Sequence, residues 1–268
     1  RKPLIFDELV NAVEYLEEHG KMKAGTLPDS FTRWWYGALL SRCRFILADT
    51  QAHAEFSARV CNVNLSRCRV VPVSTDETLF YPPKKPVARQ AFNILYYGNG
   101  MKKLHGLRYV LEAALALKDQ PEINFTIVGG KADAEKACAL AAAAGARLTY
   151  ERWIPFEEFP ARIQAASLTL GGPFGNSLQA QFVITGKTFQ FLASERPVVV
   201  GHNEVSGLFK DKKNCLLVPL GDTEAIRHAI SWAANHPKEL DAIATNGRKL
   251  YEKHFSQAIV NKLIKDLV

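Results

Sequence analysis

The stretch that most restricts how this chain can fold runs from Ser167 to Gly201, S-L-T-L-G-G-P-F-G-N-S-L-Q-A-Q-F-V-I-T-G-K-T-F-Q-F-L-A-S-E-R-P-V-V-V-G. Leu168 to Leu170 forms a short apolar strand that gives way to a turn rich in Gly and Pro. A helical segment follows around Val183 to Ala193, and Pro197 to Val200 is a second strand. Two such strands joined through a helix make a βαβ unit, and open parallel sheets bind ligands in the crevice outside the carboxyl ends of their strands. The turn delivers Gly175, Asn176 and Ser177 to that end, and Lys187 and Gln190, three apart on one helix, share a face. A loop of free amides, a helix start and a lysine together suit an anionic ligand such as a diphosphate. On these residues alone, an ordinary βαβ segment with a solvated Lys187 stands equally open.

The remainder of the chain repeats the alternation. Before the central stretch come the strand Pro3 to Phe6, a charged segment to Lys23 and a polar break at Gly25 to Ser30. Ser30 is placed to cap a helix from Phe31 to Cys43, on which Trp34, Trp35, Leu39 and Leu40 make an apolar face, expected in a core or interface. The strand Phe45 to Ala48, the helix Gln51 to Val60 and the strand Arg69 to Val73 follow. Tyr81 to Pro86, with three prolines and two lysines, reads as a stiff linker. Then come strand Phe92 to Tyr97, helix Leu107 to Leu117, strand Ile123 to Val128, helix Ala132 to Ala144, strand Leu148 to Tyr150 and helix Glu157 to Ala166. Beyond Gly201 lie the strand Cys215 to Pro219, a helix capped by Asp222 or Thr223, and two helices, Pro237 to His254 and Ser256 to Leu267. The fold class is α/β, a Rossmann-like parallel sheet.

Composition narrows the classes of function. The apolar share of 47% and charged share of 23% are those of a soluble globular protein. No apolar run reaches membrane-spanning length and R-K-P-L-I-F-D-E is no signal peptide, so the expected location is cytoplasmic. A first residue of Arg rather than Met suggests a missing upstream part. Five cysteines without C-x-x-C spacing indicate neither a disulfide framework nor a zinc site, and the histidines and carboxylates show no metal-ligand cluster. A net charge of +7 favours anionic partners, including the surface of an anionic membrane at its inner face. The basic residues are spread out, without aromatic interleaving, which argues against nucleic acid as a partner.

The second candidate anion site is the loop Y-Y-G-N-G-M-K-K-L-H-G-L after the strand at Phe92. Gly98 and Gly100 permit a tight turn, Lys102 and Lys103 supply charge, and His105 and Gly106 open the next helix. A dinucleotide G-x-G-x-x-G fingerprint fails here, because Lys103 stands where its third glycine belongs. If both loops face one crevice, Lys187 with Lys102 or Lys103 would stabilise charge building on a leaving diphosphate without a metal. His105 reads equally well as a capping or exposed residue. Trp153 reads equally well as packing against the following helix.

Four segments, P-F-G-N-S, V-I-T-G-K-T-F-Q-F-L-A, R-P-V-V-V and, upstream, C-R-V-V-P-V-S-T-D-E-T-L-F, resemble retaining glycosyltransferases of the GT-B fold in the glycosyl-transferase group 1 (family 4) superfamily. The resemblance implies residues 1–80 as the carboxyl-terminal remnant of an acceptor-side domain, 81–91 as a linker, and 92–268 as the donor domain. It implies transfer of a sugar from a UDP- or GDP-linked donor, with no other cofactor, to a glycan or lipid-linked acceptor in cell-surface glycan or glycolipid synthesis. By the same resemblance Asn99, Lys102, Lys103, His105, Gly106, Gly175, Asn176, Ser177 and Lys187 would contact the donor diphosphate. Lys187 and Lys103 would be the catalytic charges, Gln190 the ribose partner, and Trp153 and Ile154 the nucleobase segment. The sequence departs from the family pattern where Ser74 replaces a Gly, Asn99 replaces an Arg, His105 replaces a Lys, and Gln190 and Phe182 stand in place of an acidic pair. The missing acids would suit a non-catalytic nucleotide-sugar-binding or scaffolding relative. A sugar-nucleotide epimerase of the same fold would need cleft carboxylates that the loops named here lack. The 268-residue piece alone is expected to be weakly active or inactive.

Overall fold

The computed structural model describes residues 3–83, 91–98 and 100–267. Two parallel sheets are formed. The smaller has the order β1 (Ile5–Asp7), β2 (Phe45–Ala48), β3 (Cys68–Val70), with helices α1 (Ala12–Glu18), α2 (Leu27–Leu40) and α3 (Gln51–Val60) in its connections.

Helix α1 falls in the segment that sequence reading left as merely charged. Its signal is N-A-V-E: the Asn11 side chain accepts the Val13 N–H at 2.9 Å, and Glu14 takes the Asn11 backbone N–H in return. Helix α2 starts at Leu27, not after Ser30. Pro28 fits the first helical turn, where its missing N–H is no loss, and the Asp29 carboxylate receives the Gly25 N–H at 2.9 Å and Arg33 Nε at 2.6 Å. The Trp34 and Trp35 side chains are exposed, and only Leu40 of the expected face is fully buried. The strand expected from Arg69 to Val73 is shorter and begins at Cys68.

The larger sheet contains β4 (Phe92–Tyr97), β5 (Ile123–Val128), β6 (Leu148–Glu151), β7 (Leu168–Gly172), β8 (Val198–His202) and β9 (Leu216–Pro219), in the spatial order β6-β5-β4-β7-β8-β9. Every pairing is parallel. Val198, Val199 and Val200 are fully buried, as a strand covered on both faces requires, and each contributes about 1.5–3 kcal/mol through its burial. Helices α4 (Leu107–Ala116), α5 (Ala132–Ala143), α6 (Phe159–Ala165) and α7 (Gly186–Ala193) fill crossovers, and α8 (Thr223–Asn235), α9 (Pro237–His254) and α10 (Gln257–Lys265) follow the last strand. The helix expected from around Val183 begins only at Gly186, after a separate 3-10 turn at Gln179–Gln181, and the helix expected from Glu157 begins as a 3-10 turn.

Of the stretch read as a linker, residues 84–90 lie outside the described residues. The two sheets meet elsewhere. Thr50 Oγ1 donates to the Phe182 carbonyl at 2.7 Å, the Phe56 and Phe182 rings lie 5.1 Å apart, and Phe80 is buried in the core of the larger sheet.

Candidate functional site

The strand order reverses at β4, with β5 and β6 on one side and β7 to β9 on the other, so the loops after β4 and β7 leave side by side from one end of the sheet. This is the switch point at which open α/β sheets form a binding crevice. The loops touch backbone to backbone, Gly175 N donating to Leu104 O at 3.2 Å. A Cβ on Gly106, whose φ is +63°, would lie 2.5 Å from Gly175 N, and one on Gly175 would lie 1.5 Å from Lys103 O. Both glycines therefore serve the contact between the loops, which is what holds Lys103 and Asn176 on a common rim. Asn99 lies outside the described residues.

Lys187 is not solvated. Thr185 ties the start of α7 to the end of β7 by donating to the Gly171 carbonyl at 2.6 Å, and this aims the lysine under the first loop. Its side chain is 7% exposed, with Nζ donating to the Tyr97 carbonyl at 2.8 Å and lying 3.9 Å from the Tyr96 ring centroid. Among the described residues no carboxylate is paired with it, and burial pushes its pKa down to about 7. Its place in the first turn of α7 adds the positive end of the helix dipole. His105 sits beside it, half-buried, with a buried Nδ1 that has no partner. Burial first, then the charges of Lys187 and Lys102, push the His105 pKa down to about 4. Lys187, Lys102 and Lys103 thus gather positive charge at the two loops, the electrostatic complement of a polyanion.

Gln190 accepts a hydrogen bond from the Tyr97 hydroxyl through Oε1, which leaves its amide N–H groups and one lone pair for a further partner. Tyr97 is clamped between Phe159 and Phe191, with ring centroids 4.7 and 5.2 Å away. One fixed residue therefore orients both Lys187, through its carbonyl, and Gln190, through its hydroxyl. Sequence reading passed over Tyr97. Its signal was position, the last strand residue before Gly98 at the mouth of the crevice.

Two cavities open from this centre. One of about 480 Å³ is lined by Tyr97, Gly98, Gly129, Trp153, Ile154 and Phe159. In it Trp153 is 76% exposed, and so does not pack against the following helix, while Ile154 is buried. The other, of about 590 Å³, has Lys102, Lys103, Gly106, Asn176 and Ser177 on one wall and residues of α1, including Glu14, on the other. The Lys102, Lys103 and Asn176 side chains are exposed, whereas Ser177 is buried and accepts the Ala180 N–H at 3.3 Å. Lys187 and Gln190 lie beneath the loops, not on this wall. Among the described residues no group of three or more His, Cys, Asp or Glu is placed to hold a metal ion, and no helix is long and apolar enough to cross a membrane. All five cysteines are free.

A family model described as glycosyl transferase-like matches residues 108–265. No curated protein sequence matches the chain. Among solved structures, HepE from Anabaena in complex with UDP and glucose aligns with a TM-score of 0.76 at 14% identity, covering 99% of this chain and 71% of that one. HepE in complex with UDP-glucose gives 0.77 at 15% identity, covering 100% and 72%. Sucrose-phosphate synthase from Thermosynechococcus elongatus gives 0.74 at 18% identity, covering 97% and 66%. At these identities the likeness shows a common fold.

Proposed function

Since the chain belongs to the glycosyl transferase-like family, we propose that it transfers a sugar from a nucleoside-diphosphate sugar to an acceptor, with Lys187 as its central charge. The observation that carries the reading is the burial of Lys187 beneath two interlocked glycine loops at the switch point, with no acidic partner among the described residues. Such a cation is costly in the empty protein and becomes favourable when a diphosphate arrives.

In this reading the donor diphosphate lies across the loops, accepting hydrogen bonds from the backbone N–H groups of Asn176 and Ser177 and receiving charge from Lys102 or Lys103. The bond from the anomeric carbon to the diphosphate oxygen breaks with its electron pair going to the diphosphate, whose developing charge is met by Lys187, while an acceptor hydroxyl oxygen bonds the anomeric carbon and gives its proton to the departing diphosphate oxygen. This is electrostatic catalysis that requires no metal. His105, neutral at its lowered pKa, is able to donate one N–H to a phosphate oxygen without competing with the lysines for charge. Gln190 meets the ribose, and the base lies in the cavity beside Trp153 and Ile154. UDP is the donor nucleotide to test first, with GDP beside it, because the HepE structures carry UDP.

The finer parts of the proposal are retention at the anomeric carbon, a glycan or lipid-linked acceptor, and a role in cell-envelope glycan synthesis. They rest on the resemblance of P-F-G-N-S and K-T-F-Q-F-L-A to the retaining superfamily. Residues 1–80 would then belong to the acceptor side and 92–268 to the donor side. The net charge of +7 supports peripheral contact with an anionic membrane from the cytoplasmic face. The test is thermal stabilisation by UDP, GDP and their glucose conjugates. Ligand at one hundred times its dissociation constant should stabilise the fold by about 2.7 kcal/mol. No shift with any nucleoside diphosphate would overturn the proposal.

A further inference from the structure

The wall facing the lysine loops is acidic, but its three carboxylates are not equivalent. Glu17 is engaged by Arg33 Nη2 at 2.5 Å. Glu18 is half-buried on the same helix. Glu14 lines the cavity of about 590 Å³ and yet is only 2% exposed. Its capping bond to the Asn11 N–H uses part of one carboxylate and would be made as well by an exposed glutamate, so capping does not account for its burial in a cavity wall.

Behind Glu14 stands a second buried pair. His53 is 1% exposed, its Nδ1 lies 2.8 Å from Asp49 Oδ1, and its Nε2 has no hydrogen-bond partner. Asp49 fixes the orientation of the ring. A positive charge on His53 favours an ionised Glu14, and an ionised Glu14 favours a charged His53, so the two are linked. The result is a buried carboxylate, coupled through charge to His53, in the cavity that Lys102, Lys103, Asn176 and Ser177 also line.

We propose that Glu14, backed by the His53–Asp49 pair, positions a polyhydroxylated sugar acceptor by accepting hydrogen bonds from its hydroxyl groups. A carboxylate takes two hydroxyl donors through its two oxygens, and charge-assisted bonds in a poorly hydrated wall are stronger than neutral ones. Glu14 takes no proton in this role. It is a positioning residue that places the acceptor over the diphosphate loops, and the inference rests on the donor site described above.

The role has a pH signature. Burial raises the Glu14 pKa to about 7; His53 opposes the rise, and Glu18 and Asp49 add to it. The other groups facing this region are Glu8, which acts on His53, and Lys102, Lys103 and Arg108 across the cavity. Because the ionised carboxylate is the binding form, acceptor affinity rises with pH through about 7 and falls below it.

The test uses the full chain saturated with UDP and the methyl glycosides of glucose, galactose, mannose and N-acetylglucosamine as probes. Their dissociation constants are measured by titration NMR at pH 6 and pH 8. At least one glycoside should bind, more tightly at pH 8. Glu14→Gln, which retains the capping bond, should weaken that binding at least tenfold and abolish its pH dependence while changing UDP affinity less than twofold. Glu17→Gln, whose partner charge is Arg33, should bind the glycoside as the parent does. The inference falls if Glu14→Gln binds glycosides like the parent, or if the parent binds UDP but none of the four. Failure to bind UDP at all would instead bring down the donor site, and this inference with it.

Discussion

Replacing Lys187 by Met should stabilise the empty protein and cripple diphosphate binding. In the folded chain the ammonium is buried with one carbonyl and one aromatic face as partners, and its pKa falls from 10.5 to about 7. A shift of that size corresponds to about 5 kcal/mol of unfavourable free energy at low pH. The sign follows from proton binding. Between pH 7 and 10.5 the unfolded chain holds more protons than the folded one, so the penalty is fully present below about pH 7 and disappears as pH rises through 10.5. Methionine keeps the buried stem and removes the charge, at the loss of the Tyr97 bond and the Tyr96 contact, together about 1–2 kcal/mol. The expected net gain at pH 7 is about 3 kcal/mol, or roughly 6–12 °C in Tm for a chain of this size. Affinity moves the other way. Losing a charge-assisted bond to phosphate costs about 1.5–3 kcal/mol for UDP and leaves uridine nearly untouched. Urea unfolding at pH 7 and pH 10 gives the first quantity, and calorimetry with uridine, UMP and UDP gives the second. A variant that is destabilised at pH 7 and keeps the parent's ratio of UDP to uridine affinity would refute the reasoning.

Three further outcomes follow from the same geometry. Gln190→Leu strands the Tyr97 hydroxyl and should weaken uridine and UDP alike by about 1–3 kcal/mol, measured by calorimetry. Gly175→Ala forces a Cβ onto Lys103 O, so it should part the two loops and abolish UDP binding while circular dichroism still reports an α/β fold. Trp153→Ala removes a side chain that is 76% exposed, so Tm should stay within about 1–2 °C while nucleoside binding drops by about 1–3 kcal/mol.

The parallel sheet was legible because its strands are short apolar runs bounded by Gly, Pro and charge. Phe92 to Tyr97 and Ile123 to Val128 were read with the bounds that the structure has. The helix Pro237–His254 was equally plain, with proline at its start and 18 residues of helical periodicity. Helix α1 was not, because seven residues with three glutamates show too little apolar periodicity to stand out, and its start lies in the reciprocal cap of Asn11 and Glu14. The partners of Lys187 were also hidden. A lysine beside Thr188 and Gln190 looks like a solvated helix face, and its burial depends on β4 and β7 being neighbours, which only the tertiary pairing supplies. Glu14 was overlooked for the same reason, since what makes it distinctive, His53 and the far wall of the cavity, lies at least 39 residues along the chain.

The central claim is that a nucleoside diphosphate binds at the junction of the β4 and β7 loops over Lys187, and a crystal structure of the chain grown with UDP tests it most directly. The account predicts a phosphate oxygen within roughly 3 Å of Lys187 Nζ, the ribose beside Gln190 and the uracil against Trp153. UDP seated away from these residues, with Lys187 still bound only to the Tyr97 carbonyl, would contradict it.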